Sequence, residues 1–303
     1  MKKSFPPAAA IMVLLLLLTH PSLSLEGARN GLLLWYQTVL PTLLPFMICS
    51  NVIVSLGGIR LITAPLRPIL GKLFCLSENG CYVFLSGLLC GYPMGAKTCS
   101  EFVSQGKLSP SEGRYLLSIS NHPSPMFLLG YTASLMDPAI PPALLLTSIY
   151  LPVIAVAFLS RSLYRVHVSS RFMVQKTQPC HSFDESMMDS FEVMVKIGGY
   201  IMLFSILARF IGQLAFLSPR IQALLLGVVE ITTGIQAVTH TFFGLSQGLP
   251  LCFIVVFGGI CGLFQTKSVL ADSRLSLSHY VLWKLLHGLM SMAVFTLLAF
   301  FLQ

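Results

Sequence analysis

Residues 82–97 read YVFLSGLLCGYPMGAK, in which a nine-residue apolar run, 82–90, ends in a polar motif with two glycines and a proline. A second run of similar length, 221–229, ends in EITTG at 230–234. At about 1.5 Å per residue, such a run reaches only about halfway across a hydrocarbon core roughly 30 Å thick. We therefore interpret both runs as half-helices of re-entrant hairpins, in which the chain turns back inside a membrane.

The composition of the whole chain also indicates a membrane protein. Of its 303 residues, 55% are hydrophobic and only 10% are charged, and the mean hydropathy is +0.80. Soluble globular domains carry about 25% charged residues. A soluble enzyme is therefore excluded, as are a disordered chain and a disulfide-rich secreted module. The apolar runs are continuous rather than alternating, so we predict an all-α fold, a polytopic membrane helix bundle.

Longer apolar runs are predicted to cross the membrane completely. The clear ones are residues 143–163, 197–217, 249–270 and 281–302, and residues 8–18, 40–56 and 126–136 complete a prediction of seven crossings. The first run is alternatively part of a cleaved signal peptide, since the small residues SLS follow it at 22–24. The amphipathic stretch 26–39 carries Trp35 and Tyr36, which suit a membrane interface.

The two half-helices divide the chain into comparable parts. In the seven-crossing scheme the two hairpins enter from opposite sides, as in the inverted repeats of secondary transporters. Gly87 precedes Asn121 by 34 positions, and Gly227 precedes Cys261 by the same number. We predict two pseudo-symmetric inverted halves, with these boundaries: an N-terminal membrane anchor or signal-like segment at 1–25, a first half at 26–163, a cytoplasmic linker at 164–190 and a second half at 191–303.

Four polar patches, at 91–97, 118–125, 230–234 and 258–267, interrupt the apolar sequence. Broken backbone at membrane depth is tolerated only against protein or a water-filled cavity, so polar residues at such breaks are candidates to bind a ligand. The alternative is helix breaking and close helix packing, for which Gly and Ser are equally suited. On the first interpretation the substrate-binding residues are Asn121, Ser124, Thr232, Thr233, Gln265 and Thr266.

Glu230 is the acidic residue that lies deep in an apolar segment. An unpaired charge is costly there, so we expect Glu230 to be protonated or paired with a cation, with Lys97 and Lys267 as candidates. The three residues form either a coupling site for a proton or cation, or a structural ion pair that fixes hairpin packing. A cavity holding all three would be positively charged and would favour an anionic or polar ligand.

Other chemistry is not expected from the sequence. It has no esterase, metalloprotease, P-loop or dinucleotide-binding motif, so we do not predict an enzyme. The eight cysteines include no CxxC pair and are interpreted mainly as small buried hydrophobes. His122 has no second ligand at metal spacing, and we expect neither a metal nor another cofactor. No basic patch interleaved with aromatics indicates nucleic acid. Lys284 and His287 are expected at a membrane interface.

Six segments carry a resemblance to a known family. The most distinctive are GYPMGAK at 91–97 and EITTG at 230–234. The others are GLLLWYQTVLPTLLP at 31–45, SISN with a following proline at 118–125, IGGYIMLFS at 197–205 and FGGICGLFQ at 257–265. In this order and over nearly the whole chain, they resemble the YlbJ-like family of bacterial sporulation integral membrane proteins, which contains the nucleoside recognition or Gate domain.

The resemblance implies a multi-pass cell-membrane protein of a spore-forming bacterium, with Gate-like halves, similar to proteins needed for spore envelope or cortex formation. Gate domains also resemble parts of concentrative nucleoside transporters and of the FeoB ferrous-iron transporter. Family members often have more Asn, Ser or Gly where this chain has His122, Pro123 and Ser124. That departure leaves the substrate open.

The sequence leaves two main hypotheses about function. In the first, the protein transports or binds a small polar or nucleoside-like solute during spore formation. In the second, it is a membrane scaffold that transports nothing and recruits envelope-assembly proteins. A third reading is a gate subunit that acts only with a partner. The expected partners are membrane lipid, the solute, and either a second copy of this chain or envelope-assembly proteins.

Overall fold

The computed structural model describes residues 5–166, 182–270, 273 and 275–301. These residues form helices joined by short turns, and none of them lies in a strand.

In chain order, the helices up to the predicted linker are α1 (Phe5–Thr19), α2 (Pro21–Leu34), α3 (Leu40–Ser55), α4 (Ile59–Thr63), α5 (Arg67–Leu73), α6 (Glu78–Cys90), α7 (Met94–Ser104), α8 (Pro110–Ile119), α9 (Pro125–Phe127), α10 (Ala133–Leu135) and α11 (Pro142–Tyr164). They are followed by α12 (Phe183–Ile211), α13 (Pro219–Val229), α14 (Ile231–Thr241), α15 (Gly248–Phe257), α16 (Gly259–Val269) and α17 (Leu277–Phe300). Two π-helical turns, Trp35–Val39 and Leu128–Thr132, and a 3₁₀ turn, Gly244–Gln247, lie between them.

Five helical segments of the described chain are long and apolar enough to cross a membrane. They are Pro21–Ser55, Pro142–Tyr164, Phe183–Ile211, Gly244–Val269 and Leu277–Phe300. The number becomes six if α5 and α6, which are bent by 99° at their junction, form one span. The predicted fold class, an all-α polytopic membrane helix bundle, is confirmed.

The expected seven crossings are not all matched by long helices. Residues 8–18 lie in α1, which has only 15 residues, and residues 126–136 lie mainly in a short helical stretch from α9 to α10. A helix needs about 20 residues to span the hydrocarbon core. Among the described residues, the helices long enough to span the membrane therefore number five or six, against the seven predicted.

The segment Pro21–Ser55 is one long helical unit that runs beside α12. A Cβ atom on Gly27 would lie only 2.7 Å from the Cα of Ile206, so the two helices touch through their backbones. Trp35, which we expected at a membrane interface, also joins these two helices. Its indole N–H donates a hydrogen bond of 3.0 Å to the carbonyl oxygen of Met194, because the close approach of the helices brings the ring onto α12.

The first predicted half-helix is α6, and it forms a hairpin with α7, here called hairpin 1. Ser77 caps α6 by accepting a hydrogen bond of 3.0 Å from the backbone N–H of Gly80. The chain turns after Cys90 at Gly91, where φ is +79°, a value that favours glycine. The hydroxyls of Ser86 and Thr98, one from each arm, lie 3.2 Å apart. The arms therefore run back along each other.

The second predicted half-helix is α13, which forms hairpin 2 with α14. A Cβ atom on Gly234 would lie 2.1 Å from the Cα of Gly227, so the two arms are in backbone contact. The turn is a single extended residue, Glu230, with φ −144° and ψ 125°. Both hairpins thus reverse the chain where the sequence places a polar motif.

Each hairpin is followed by an interrupted helix and then by a long helix. The first interruption is residues 120–124, between α8 and α9, and the second is at Gly258, between α15 and α16, where φ is +78°. The long helices are α11 and α17. The same order of elements therefore occurs twice, while the opposite orientation of the two halves stays a prediction.

Three apolar cores hold these elements together. One surrounds Phe102 and Tyr115 and joins hairpin 1 to α8 and α11, and a second surrounds Ile235 and Val255 and joins hairpin 2 to α15. The third includes Met194 and packs α3 and α12 over residues next to the turn of hairpin 1 and the second interruption. The cysteines of the described chain that are buried, as predicted for most of them, are Cys81, Cys90, Cys99, Cys252 and Cys261.

The predicted linker, 164–190, lies largely outside the described residues. Its last part, 183–190, forms the first two turns of α12. A capping box fixes this start: the Ser182 hydroxyl accepts from the N–H of Glu185 at 3.1 Å, and the Glu185 carboxylate accepts from the N–H of Ser182 at 2.8 Å.

Asp137 connects the turn before α11 with the segment before α15. Its carboxylate accepts hydrogen bonds from the backbone N–H groups of Ala139 at 2.9 Å and Gly244 at 2.7 Å. Its own N–H donates to the Gln247 side chain at 2.8 Å. The two N–H donors hold the pKa of Asp137 below its ordinary value, because they stabilise the charged carboxylate.

The lowered pKa predicts that this connection is stabilising above the ordinary pKa of an aspartate, about 3.9, and is lost as the pH falls through the lower folded value. Asp137→Asn should loosen it already at neutral pH. We expect faster hydrogen exchange at the amides of Ala139 and Gly244, relative to wild type and to the exposed control Asp189→Asn. Unchanged exchange in Asp137→Asn would show that the carboxylate does not hold the two turns together.

Candidate functional site

The two hairpin turns and the two interrupted helices meet beside a cavity of about 330 Å³. This volume is at the lower end of the range for small-molecule sites in proteins. These elements contribute part of the lining, from hairpin 1 (Cys90, Gly91, Tyr92), the first interruption (Pro123, Ser124), hairpin 2 (Glu230, Ile231, Thr232) and α16 (Gln265). The rest comes mainly from the segments 34–43 and 126–131. The cavity thus lies where three of the four polar patches and one residue of the fourth come together.

Each hairpin turn packs against the interruption that follows it in the chain. A Cβ atom on Gly95 would lie 2.1 Å from the carbonyl oxygen of Ser120, and one on Gly91 would lie 2.9 Å from the backbone nitrogen of Ser124. In the second half, a Cβ atom on Gly259 would lie 3.1 Å from the carbonyl oxygen of Val229. A side chain at any of these glycines would clash with the neighbouring backbone and separate the hairpin turn from the interruption.

Hydrogen bonds also connect the first half to the second. The Tyr92 hydroxyl at the turn of hairpin 1 donates to the carbonyl oxygen of Val255 in α15. The amide nitrogen of Asn121 donates to the hydroxyls of Thr266 at 3.2 Å and Tyr280 at 2.8 Å. The site is therefore assembled from residues more than 140 positions apart in the sequence.

Three predicted substrate-binding residues, Ser124, Thr232 and Gln265, line the cavity. Their side chains are engaged within the protein. Ser124 caps α9 by accepting from the N–H of Phe127 at 3.2 Å, and the Gln265 amide lies 3.3 Å from the sulfur of Cys261. All three residues are mostly buried. A ligand in the cavity would therefore reach only the part of each residue that forms the cavity wall.

The other three predicted substrate-binding residues do not line the cavity. Asn121 and Thr266 are fully buried and bond to each other, so they hold the first interruption against α16. Thr233 directs its hydroxyl to the carboxylate of Glu230 at 2.8 Å. The polar atoms of these residues form hydrogen bonds within the protein. These bonds hold the neighbouring segments that form the cavity wall.

Glu230 is 1% exposed and caps the N-terminus of α14. Its carboxylate accepts from the backbone N–H groups of Thr232 at 3.1 Å and Thr233 at 2.8 Å, and from the hydroxyls of the same residues at 2.5 and 2.8 Å. The positive end of the helix dipole adds further stabilisation. A charged carboxylate is thus accommodated by one helix end.

The expected pairing of Glu230 with Lys97 or Lys267 is wrong. Lys97 forms an ion pair with Glu101 one helical turn away, and Lys267 is exposed. Among the described residues Glu230 makes no ion pair, because four donors at the start of α14 satisfy it. The expectation of a positively charged cavity is therefore also wrong: the lining contains the Glu230 carboxylate and no lysine or arginine.

The sequence did not identify several residues of the cavity wall. Gln37 and Thr38 come from one π-helical turn, and Gly130 and Tyr131 from the other. Such turns occur frequently at functional sites. The Tyr131 hydroxyl donates to the carbonyl oxygen of Thr232 at 3.3 Å, connecting α9–α10 to hairpin 2. Gln37 and Thr38 belong to the amphipathic stretch 26–39, and Gly130 and Tyr131 belong to the apolar run 126–136, so none of them lies in one of the four polar patches.

Lys284 and His287, which we expected at a membrane interface, are buried inside the protein. They are 2% and 1% exposed, respectively. The helix α17 begins at Leu277, so Lys284 is two turns inside it and faces His122 of the first interruption. Distance from the end of an apolar run was therefore a poor guide to burial.

Comparison with known proteins gives one similarity. The chain is 27% identical to the sporulation integral membrane protein YlbJ of Bacillus subtilis (strain 168), over an alignment that covers 93% of this chain and 78% of YlbJ. No family model and no solved structure matches the chain. The long apolar helices and this relative agree that the chain is a multi-pass integral membrane protein, as predicted.

The capping role of Glu230 can be tested by Glu230→Gln. The amide retains one acceptor oxygen but turns an NH₂ group toward donors, so buried N–H groups lose a partner. We expect a loss of about 1–3 kcal/mol in stability, measured as unfolding of the purified protein in detergent. Glu192→Gln, which breaks the exposed ion pair with Lys196 one helical turn away in α12, is the control and should cost less than about 1 kcal/mol. Equal unfolding of Glu230→Gln and wild type would contradict the capping role.

Proposed function

We propose that this protein binds a small polar solute and moves it across the membrane during spore formation. The observation that carries the proposal is the cavity where both hairpins and both interrupted helices meet. Discontinuous helices in secondary transporters place their broken ends around the solute. The sporulation setting is supported by the similarity to YlbJ, which is described as a sporulation integral membrane protein.

The cavity wall suits a solute with both a polar and a flat or apolar part. One side carries the amide of Gln37 and the hydroxyl of Thr42, and the rings of Tyr92, Phe127 and Tyr131 supply apolar surface. The side chain of Gln37 makes no hydrogen bond within the described chain, so its amide group is free for a ligand. A nucleoside-like solute is one compound of this type, and the Gate-like assignment of the two halves agrees with it.

In this proposal the solute is moved without chemical change, and no catalytic group is required. Movement of either hairpin away from its interruption would open the cavity, because the contacts at Gly91, Gly95 and Gly259 are backbone contacts without interlocking side chains. Rocking of one repeat against the other is the usual means of alternating access in transporters built from repeats.

Filling the cavity tests the proposal. Gly130 lines the cavity, and a Cβ atom there would meet nothing within 4 Å. The variant Gly130→Phe should therefore fold but exclude the solute. Gly199→Phe is the matched control, since a Cβ atom on Gly199 is equally free and Gly199, in α12, is not part of the cavity wall.

The measurement is the number of heat-resistant spores after complementation of a deletion in the chain's own host, with membrane levels of each variant checked. We expect Gly130→Phe to give as few spores as the deletion and Gly199→Phe to give as many as wild type. If both variants, at normal levels, restore spores fully, the cavity is not used and the scaffold hypothesis is favoured.

A further inference from the structure

A group of three basic side chains is buried behind the cavity wall. Lys284 lies with its Nζ atom 3.4 Å from Nδ1 of His122. His287 is one turn further along α17, and its ring stands edge-on to the His122 ring with centroids 4.9 Å apart. All three residues are at most 2% exposed. We call Lys284, His122 and His287 the basic cluster.

The basic cluster has no acidic partner in the described part of the chain. No ion pair there includes Lys284, and its ammonium instead lies over the rings of Tyr92 at 5.3 Å and Tyr280 at 5.6 Å. A buried lysine without a counter-charge is costly inside a membrane protein, and ionisable groups at such depth usually belong to ion or proton pathways.

The other titratable groups near the basic cluster are phenols or lie further out. Tyr150 of α11 donates to the carbonyl oxygen of Pro123, next to His122, at 2.8 Å. Arg114 of α8 and His279 of α17 line a small separate cavity with Tyr280, on the side away from His287. Tyr92 donates a hydrogen bond to the Val255 carbonyl oxygen of α15, and Asn121, next to His122, donates to the Thr266 hydroxyl of α16.

Hydrogen bonds assign the protonated nitrogen of each imidazole. Nε2 of His122 lies 2.5 Å from the carbonyl oxygen of Ile119, and Nε2 of His287 lies 2.8 Å from that of Ile149. A carbonyl oxygen only accepts, so both Nε2 atoms carry hydrogen, and in the neutral rings both Nδ1 atoms carry a lone pair. Nδ1 of His122 accepts from Lys284, whereas Nδ1 of His287 is buried with no hydrogen-bond partner.

We propose that Lys284, His122 and His287 form a buried proton-binding site that is coupled to the solute cavity through Tyr92. One proton is shared between Nζ of Lys284 and Nδ1 of His122, and the lone pair on Nδ1 of His287 is a second position for it. Repulsion between like charges this close disfavours two positive charges at once. Transfer to His287 therefore leaves Lys284 as a neutral amine.

The coupling rests on the proposed function and on the position of Tyr92. Tyr92 of hairpin 1 lines the cavity, and the Lys284 ammonium lies over the ring of Tyr92. On the other side of the basic cluster, Pro123 and Ser124 directly follow His122 and line the cavity. A solute that moves hairpin 1 or the first interruption thus changes the surroundings of the shared proton.

The proton site is testable without knowing the solute. The full-length protein, labelled with ¹⁵N-histidine and reconstituted in lipid, would be followed by NMR from acidic to alkaline pH, with His122→Gln and His287→Gln assigning the signals. We expect one of the two Nδ1 atoms to change its protonation state within this range. Lys284→Met should shift the midpoint, because it removes the partner of His122, and Tyr92→Leu should shift it in the same assay.

The controls separate this proposal from the proposed transport. His240→Gln, at an exposed position of α14, should leave the titration unchanged. Gly130→Phe should keep a titrating site even if it abolishes spore formation. Failure of the transport proposal therefore does not imply failure of the proton-binding proposal. If neither Nδ1 atom changes its protonation state at any pH, in wild type and in Lys284→Met, the proton-binding proposal is overturned. If titration occurs but Tyr92→Leu does not shift it, the coupling through Tyr92 is overturned.

Discussion

The whole arrangement depends on one constraint: a backbone that breaks at membrane depth must satisfy its N–H and C=O groups within the protein, because lipid offers no partners. In the described part of this chain, helices break at the four polar patches. Glu230 caps the break in hairpin 2, Ser124 caps the start of α9, and glycines allow the remaining backbone to pack directly on its neighbour. Satisfying each break against another brings all four together, and the cavity lies beside them.

The same constraint explains the use of charge in the interior. Glu230 is accommodated by the N-terminus of α14 and does not need a lysine. Lys284, by contrast, is surrounded by aromatic rings and imidazoles, and no residue in the described ranges supplies a carboxylate to it. Glu230 and Lys284 therefore differ in kind: the first is structural and satisfied, and the second is incompletely satisfied. This difference places the proposed proton chemistry at Lys284 and its histidines.

Local features of the sequence predicted the fold well. The short apolar runs before Gly91 and Glu230 indicated half-helices from length alone, and the low charge content indicated an all-α membrane bundle. The sequence did not reveal which buried groups contact each other. The bond between Asn121 and Tyr280 and the contact between Lys284 and His122 join residues about 160 positions apart, and no spacing rule encodes them. The capping role of Glu230 was missed because Ser, Thr, Asp and Asn are the usual caps.

The central claim is that the cavity between the hairpins and the interrupted helices holds a small polar solute. Native mass spectrometry of the purified protein tests it most directly, by comparing the small molecules retained by wild type, Gly130→Phe and Gly199→Phe. We expect a small polar compound bound to wild type and Gly199→Phe and absent from Gly130→Phe. Retention of the same compounds by Gly130→Phe would contradict it.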